Sequence, residues 1–142
     1  MSVTFSEAEI QQIRDAIASA ELNTSGEIRV HIDTKCFGNP VKKAIRVFNA
    51  LGMHLTKRRN AVLIYVATQH QKLAIIGDQG INAHVPDHFW DDERELMIGH
   101  FKQGNFVVGL IKGISEVGNQ MKVAFPYEEG DENELDDEVT LG

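Results

Sequence analysis

The sequence predicts an α/β protein: a three-layer α/β/α sandwich around a small mixed sheet, two parallel strands plus an antiparallel hairpin strand. Three observations predict it. Residues 61–67, AVLIYVA, are apolar throughout, which marks a strand covered on both faces. A second apolar run at 71–77 follows the short turn TQH, so the two runs close as a hairpin. An alternating stretch at 26–33 is separated from the first run by a helical pattern, and a right-handed crossover then makes that pair parallel.

The elements follow in order. Residues 6–20 start a helix with a capping box, Ser6 and Glu9, and Phe5 and Ile10 have the spacing of a hydrophobic staple. Ile10, Ile13, Ile17 and Ala20 mark its apolar face. In GEIRVHID, Ile28, Val30 and Ile32 alternate with Arg29, His31 and Asp33, a strand with one apolar face. Asn39 caps a second helix with Pro40 at its first position, and Val41, Ala44, Ile45, Phe48, Leu51 and Leu55 form its buried stripe. After the hairpin and a short irregular stretch, a third helix runs from about Asp87 to Gln103, with Gly104 as its stop. A fourth spans about Phe106 to Phe125, buried along Val107, Leu110, Ile111, Ile114, Val117 and Met121. Gly109 and Gly113 within it allow a close approach to the sheet or to the third helix.

The chain of 142 residues fits one domain with a proper core. Its net charge of -7 is unevenly spread: residues 127–142 hold eight acids and no base, which leaves 13 of the 21 acids against 14 basic residues. The expected organisation is a domain at 1–126 and an acidic tail at 127–142, in which Leu135, Val139 and Leu141 offer a means of docking on the body. A near-neutral body with an acidic tail excludes a nucleic-acid binder, since phosphate contact needs a basic face. One cysteine, Cys36, permits no disulfide within the chain and points to a reducing compartment. The first residues lack the apolar core of a signal peptide, and no window approaches the roughly 18 apolar residues of a membrane span. A cytoplasmic monomer is expected.

The topology has a consequence for chemistry. If the hairpin pairs residue 67 with 71, then Asn60 lies opposite Asp78, and the start of the parallel strand reaches the same edge. TSGE, RRN and GDQGIN therefore meet at one end of the sheet. They bring Ser25, Glu27, Asn60, Asp78 and Asn82 together, with Arg58 and Arg59 nearby. Carboxylates with amide and backbone oxygens suit a hard cation such as calcium or magnesium. Gly77 and Gly80 would free the backbone to adopt positive φ or approach a ligand. A structural alternative stands beside this: Asp78 and Asn82 capping a turn, and Glu27 pairing with Arg58 or Arg59.

At these segments the chain resembles the TPM-domain family, named for thylakoid-lumen, photosystem-II-associated and nematode members. The resemblance rests on TSGEIRVHI, RRNAVLIYVA, KLAIIGDQGIN and FKQGNFVVGLIKGISEVGNQMKVAFP, and covers residues 5–126. It implies an α/β/α sandwich, and an activity drawn from a family in which some members are described as acid phosphatases, some bind divalent metal, and others act in assembly or repair. Carried over by position, it implies Glu27, Asn60, Gly77, Asp78 and Gly80 as site residues. Asp87 and Asp91 join them as expected metal ligands, from a helix start facing the same edge. Ala61 departs from the glycine usual at that position, and the DENELDDE tail resembles the soluble cytoplasmic branch.

The implied function is divalent-cation binding, with two continuations: a metal-dependent phosphatase acting on phosphomonoesters, or a non-enzymatic module binding a metal or a protein partner in protein assembly or quality control. A covalent phosphatase mechanism is not supported. Cys36 is followed six residues later by Lys42 rather than Arg, and neither Arg-His-Gly nor Asp-x-Asp after a strand occurs. Hydrolysis would be metal-assisted, with Arg58 or Arg59 holding a phosphate. The six histidines show no zinc spacing, and the acidic tail lacks the order of an EF-hand loop. AIIGDQGINAHV resembles the loop of KH domains, but Asp78 puts negative charge where phosphate would lie.

Overall fold

The computed structural model describes residues 5–127 and 139–142. Helix α1 (Glu7–Glu21) starts at the expected box: the Ser6 hydroxyl accepts from the Glu9 N–H at 3.1 Å, and Glu9 returns a bond to the Ser6 N–H at 3.0 Å. Strand β1 (Glu27–Asp33) leads to α2 (Pro40–Ala50), capped by Asn39. A 3-10 turn (Met53–Leu55) precedes β2 (Ala61–Ala67) and β3 (Lys72–Gly77). Next come α3 (Gln79–Asn82), α4 (Phe89–Lys102) and α5 (Phe106–Ala124), and β4 (Val139–Leu141) is the last strand. The sheet order is β3-β2-β1-β4.

As expected, β1 and β2 are parallel, and β2 and β3 are antiparallel. Alternation divides the sheet into two faces. Ile28, Val30, Ile32, Val62, Ile64, Val66, Leu73 and Ile75 meet Ile13 and Ile17 of α1, Met97 of α4 and the Leu110–Met121 stripe of α5. Leu63, Tyr65 and Ala74 meet Ala44, Val47 and Phe48 of α2 on the other face. The result is the α/β/α arrangement. Helix α5 lies close on α4, because a Cβ at Gly113 would overlap the Met97 side chain and one at Gly109 would come within 2.8 Å of His100 Cβ.

Several expectations need correction. The sheet has a fourth strand: residues 139–141, expected as tail, pair in parallel with Val30–Ile32. Val139 is buried there, while Leu141 is exposed. The acids at 128–138, and Leu135, lie outside the described residues. The hairpin is one residue off the expected register. Ala67 pairs with Lys72 and Val62 with Gly77, because the turn takes residues 68–71 and holds Gln71 at φ 53°. The stripe of α2 is Ala44, Val47 and Phe48, not the full expected set. Val41 and Ile45 sit half out in solvent, and Leu55 is off the helix, which ends at Ala50 before Gly52 turns the chain at φ 71°. Helix α4 begins at Phe89 rather than Asp87, after His88 at φ 64°, and the stretch before it contains α3.

Candidate functional site at the end of the sheet

The three segments singled out by sequence do meet. Glu27 stands opposite Ala61 in the parallel ladder, and its N–H donates to the Asn60 carbonyl at 3.4 Å. The Asp78 N–H donates to the Ala61 carbonyl at 3.0 Å. Ala61 is thus flanked by both acids, and it is Ala61, not Asn60, that lies opposite Asp78. The Thr24–Gly26 segment is fixed from the far side by α5. The Ser25 N–H bonds the Phe125 carbonyl at 3.0 Å, and the Thr24 hydroxyl bonds the carbonyls of Met121 and Phe125.

The side chains form a dense polar edge. The Ser25 hydroxyl accepts from Arg58 at 2.8 Å and from the Asn60 amide at 3.4 Å. Glu27 is 3% exposed, Asn60 2% and Asp78 7%. Asp78 caps α3 by accepting from the Gln79 N–H at 2.8 Å. Arg59 clamps both its oxygens, Nε to Oδ2 at 2.6 Å and Nη2 to Oδ1 at 2.8 Å. Such bidentate pairs are the stronger kind. The hydrogen bond to Asp78, with the opposed charge, pushes the Arg59 guanidinium further up from its already high value. Arg59 makes this clamp from a left-handed backbone, φ 52°, a conformation that non-glycine residues hold only where their surroundings impose it.

Gly80 explains that imposition. Its N–H donates to the Arg59 carbonyl at 2.8 Å, and a Cβ there would overlap the backbone oxygens of Arg58 and Arg59. Neither Gly77 nor Gly80 takes positive φ, so the expected reason for these glycines is corrected: they admit protein neighbours at close range. At Gly77 the neighbours are the Trp90 ring and Asn82. The Asn82 amide donates to the Gly77 carbonyl at 2.8 Å and accepts from the Trp90 indole at 2.7 Å, tying the start of α4 to the end of β3.

The model of the TPM domain matches residues 2–120. This chain belongs to the TPM-domain family. It is similar to the BA42 protein of the psychrophilic bacterium Bizionia argentinensis, solved by NMR. Identity is 42%, the TM-score is 0.89, and the match covers 99% of this chain and 97% of that one. Two N-terminal domains share the fold at lower identity. The one from P. gingivalis has 18% identity, a TM-score of 0.69, and coverage of 85% of this chain and 78% of that one. The one from Corynebacterium glutamicum has 17%, 0.65, and 83% and 74%. No curated protein matches the sequence.

The expected ligands of this TPM domain lie on several elements. Glu27, Asn60 and Asp78 come together through Ala61. Asp87 and Asp91 are exposed, and the Asp91 carboxylate lies 3.6 Å from His88. Among the described residues no three histidine, cysteine, aspartate or glutamate side chains are grouped to hold a metal ion. Among those residues, too, no helix is long and apolar enough to cross a membrane.

Sequence reasoning missed a second polar cluster. Arg29, His31 and Asp33, read as the polar face of β1, are all buried. His31 Nε2 lies 2.9 Å from Asp33 Oδ1, and the Tyr65 hydroxyl donates to Asp33 Oδ2 at 2.6 Å. Burial, then the hydrogen bond to Asp33, raise the Tyr65 phenol far above its ordinary range and keep it protonated. The strict alternation at 28–33 was the available signal. It tells which residues share a face, not whether that face is covered.

Proposed function

We propose that this TPM domain binds a divalent cation, calcium or magnesium, where residues 25–27, 58–60 and 77–82 meet. One observation carries the reading: two buried carboxylates, Glu27 and Asp78, flank Ala61 beside the Asn60 amide and the Ser25 hydroxyl. These donors are hard oxygens, the kind both ions take. Glu27, Asn60 and Asp78 would hold the ion, with Ser25 at the margin. Asp87 and Asp91 stay outside this set.

An internal cation already sits on Asp78. The Arg59 side chain is 39% exposed, so it can turn to water and release the carboxylate. A divalent ion therefore competes with a tethered guanidinium, and affinity is modest. A bound ion would polarise a phosphoryl oxygen and acidify a bound water. Arg58, exposed and bonded to Ser25 at the same edge, favours a second reading in which a phosphomonoester docks beside the ion. Without turnover, the domain is a cation-dependent binding module for a protein partner.

The test is a calcium and magnesium titration followed by backbone amide NMR, paired with an aryl phosphate hydrolysis assay. Saturable shifts at 25–27, 58–60 and 77–82 that vanish in Asp78→Asn support the site. Arg59→Ala should bind more tightly than wild type. Metal-dependent turnover lost in Asp78→Asn selects the phosphatase, and binding without turnover selects the module.

A further inference from the structure

The edge of β1 away from β2 is occupied by residues 139–142, and the contacts made there are selective along the segment. Val139 stands opposite Val30 and is buried with the main core. Thr140 stands opposite His31, its hydroxyl 2.6 Å from His31 Nδ1. The other side of that imidazole is fixed by Asp33, which is itself held by Tyr65, so Nδ1 is turned toward the incoming strand. The Gly142 N–H donates to the Ile32 carbonyl at 2.9 Å. A Cβ at 142 would overlap Asp33 Oδ1 and lie 2.7 Å from His31 Nε2. Leu141, in contrast, points a largely exposed side chain outward.

We infer that this edge of β1 is a strand-docking groove that reads the pattern Val-Thr-x-Gly, filled here in cis by residues 139–142 and open to the same segment of a second copy of this chain. The groove is built without its occupant. His31, Asp33 and Tyr65 belong to β1 and β2, which are locked together by seven register pairs, whereas β4 adds three. A second copy is the partner whose chemistry meets every subsite. Residues 128–138 connect the segment to the body, and 11 residues of extended chain reach roughly 36–40 Å, enough to span to a neighbour. The tether gives the cis segment an effective concentration on the order of millimolar, so exchange between copies appears at protein concentrations of that order. The eight acids of the connection repel those of a second copy, so added salt promotes the exchange.

The experiment uses the full chain. Gly142→Val, and separately Val139→Asp, expel the cis segment. A synthetic peptide with the sequence of residues 135–142 is then titrated into each isotope-labelled variant. Saturable shifts at 30–32, smaller in wild type at the same peptide concentration, are expected. A peptide carrying Thr140→Val should bind at least about 5-fold more weakly, because His31 Nδ1 loses its partner. In wild type at millimolar concentration, a mixture of labelled and unlabelled chains should give interchain contacts between 139–141 and 30–32. Absence of peptide binding in variants whose core amides are unmoved overturns the groove. Equal binding of the Thr140→Val peptide overturns its selectivity, and absence of interchain contacts in the mixed sample overturns the second copy as occupant. Should both variants unfold, the mixed sample decides.

Discussion

Tyr65→Phe isolates one hydroxyl. Tyr65 is fully buried in β2, and phenylalanine keeps its ring and its packing against α2. What disappears is the donor to Asp33 Oδ2 at 2.6 Å. Asp33 is 7% exposed, so water does not fully replace the lost bond. Leaving an Asp33 oxygen without its partner in such a place costs about 1.5–3 kcal/mol. With a urea slope of about 2 kcal/mol per molar, the unfolding midpoint should fall by about 0.8–1.5 M. The raised phenol adds a second readout. In the unfolded chain tyrosine ionises near pH 10, whereas the folded phenol stays protonated well above that. The native state then holds more protons, and wild-type stability must fall as pH rises through about 10 and beyond. Tyr65→Phe should lack that alkaline loss. A midpoint within about 0.2 M of wild type, or an unchanged alkaline decline, would refute the network as drawn.

Three further outcomes are expected. Glu93, buried in α4 with Oε2 unbonded among the described residues, has its carboxyl raised above its ordinary 4.5 by burial, then by Glu116 and Asp92. The folded state binds the extra proton, so stability falls as pH rises from about 4.5, and Glu93→Gln should equal or exceed wild type at pH 7 in urea melts while matching it in acid. Gly80→Ala should destabilise by about 1–3 kcal/mol, since the added Cβ meets backbone oxygens that cannot step aside, and should shift the amides of 58–60. Ser6→Ala should cost about 1 kcal/mol by thermal melt, from loss of the N-cap bond of α1.

The sequence was most legible where a local rule decides the outcome. Ser6 with Glu9, and Asn39 with Pro40, fix helix starts through bonds that span a few residues, and both form as read. The meeting of residues 25–27, 58–60 and 77–82 followed from a parallel crossover and a hairpin, which leave little topological freedom. The register was missed by one residue because a three- and a four-residue turn fit TQHQ alike, and Gln71 gives no warning of positive φ. Which cation would claim which acid was not decidable either. Arg58 and Arg59 are neighbours in sequence, and only the left-handed turn at Arg59 sends its guanidinium to Asp78 while Arg58 reaches Ser25. The segment at 139–141 is too short for periodicity and follows an acidic run. What holds it is tertiary: a core position beside Val30 and the hydroxyl contact with His31.

The divalent-cation titration of the labelled full-length chain tests the proposed site most directly. A cation site there gives saturable amide shifts at 25–27, 58–60 and 77–82, tighter binding in Arg59→Ala and none in Asp78→Asn. Shifts confined to 128–138, or no shifts at all in wild type and Arg59→Ala alike, would contradict it and leave the Arg59–Asp78 clamp as a fastening of the fold.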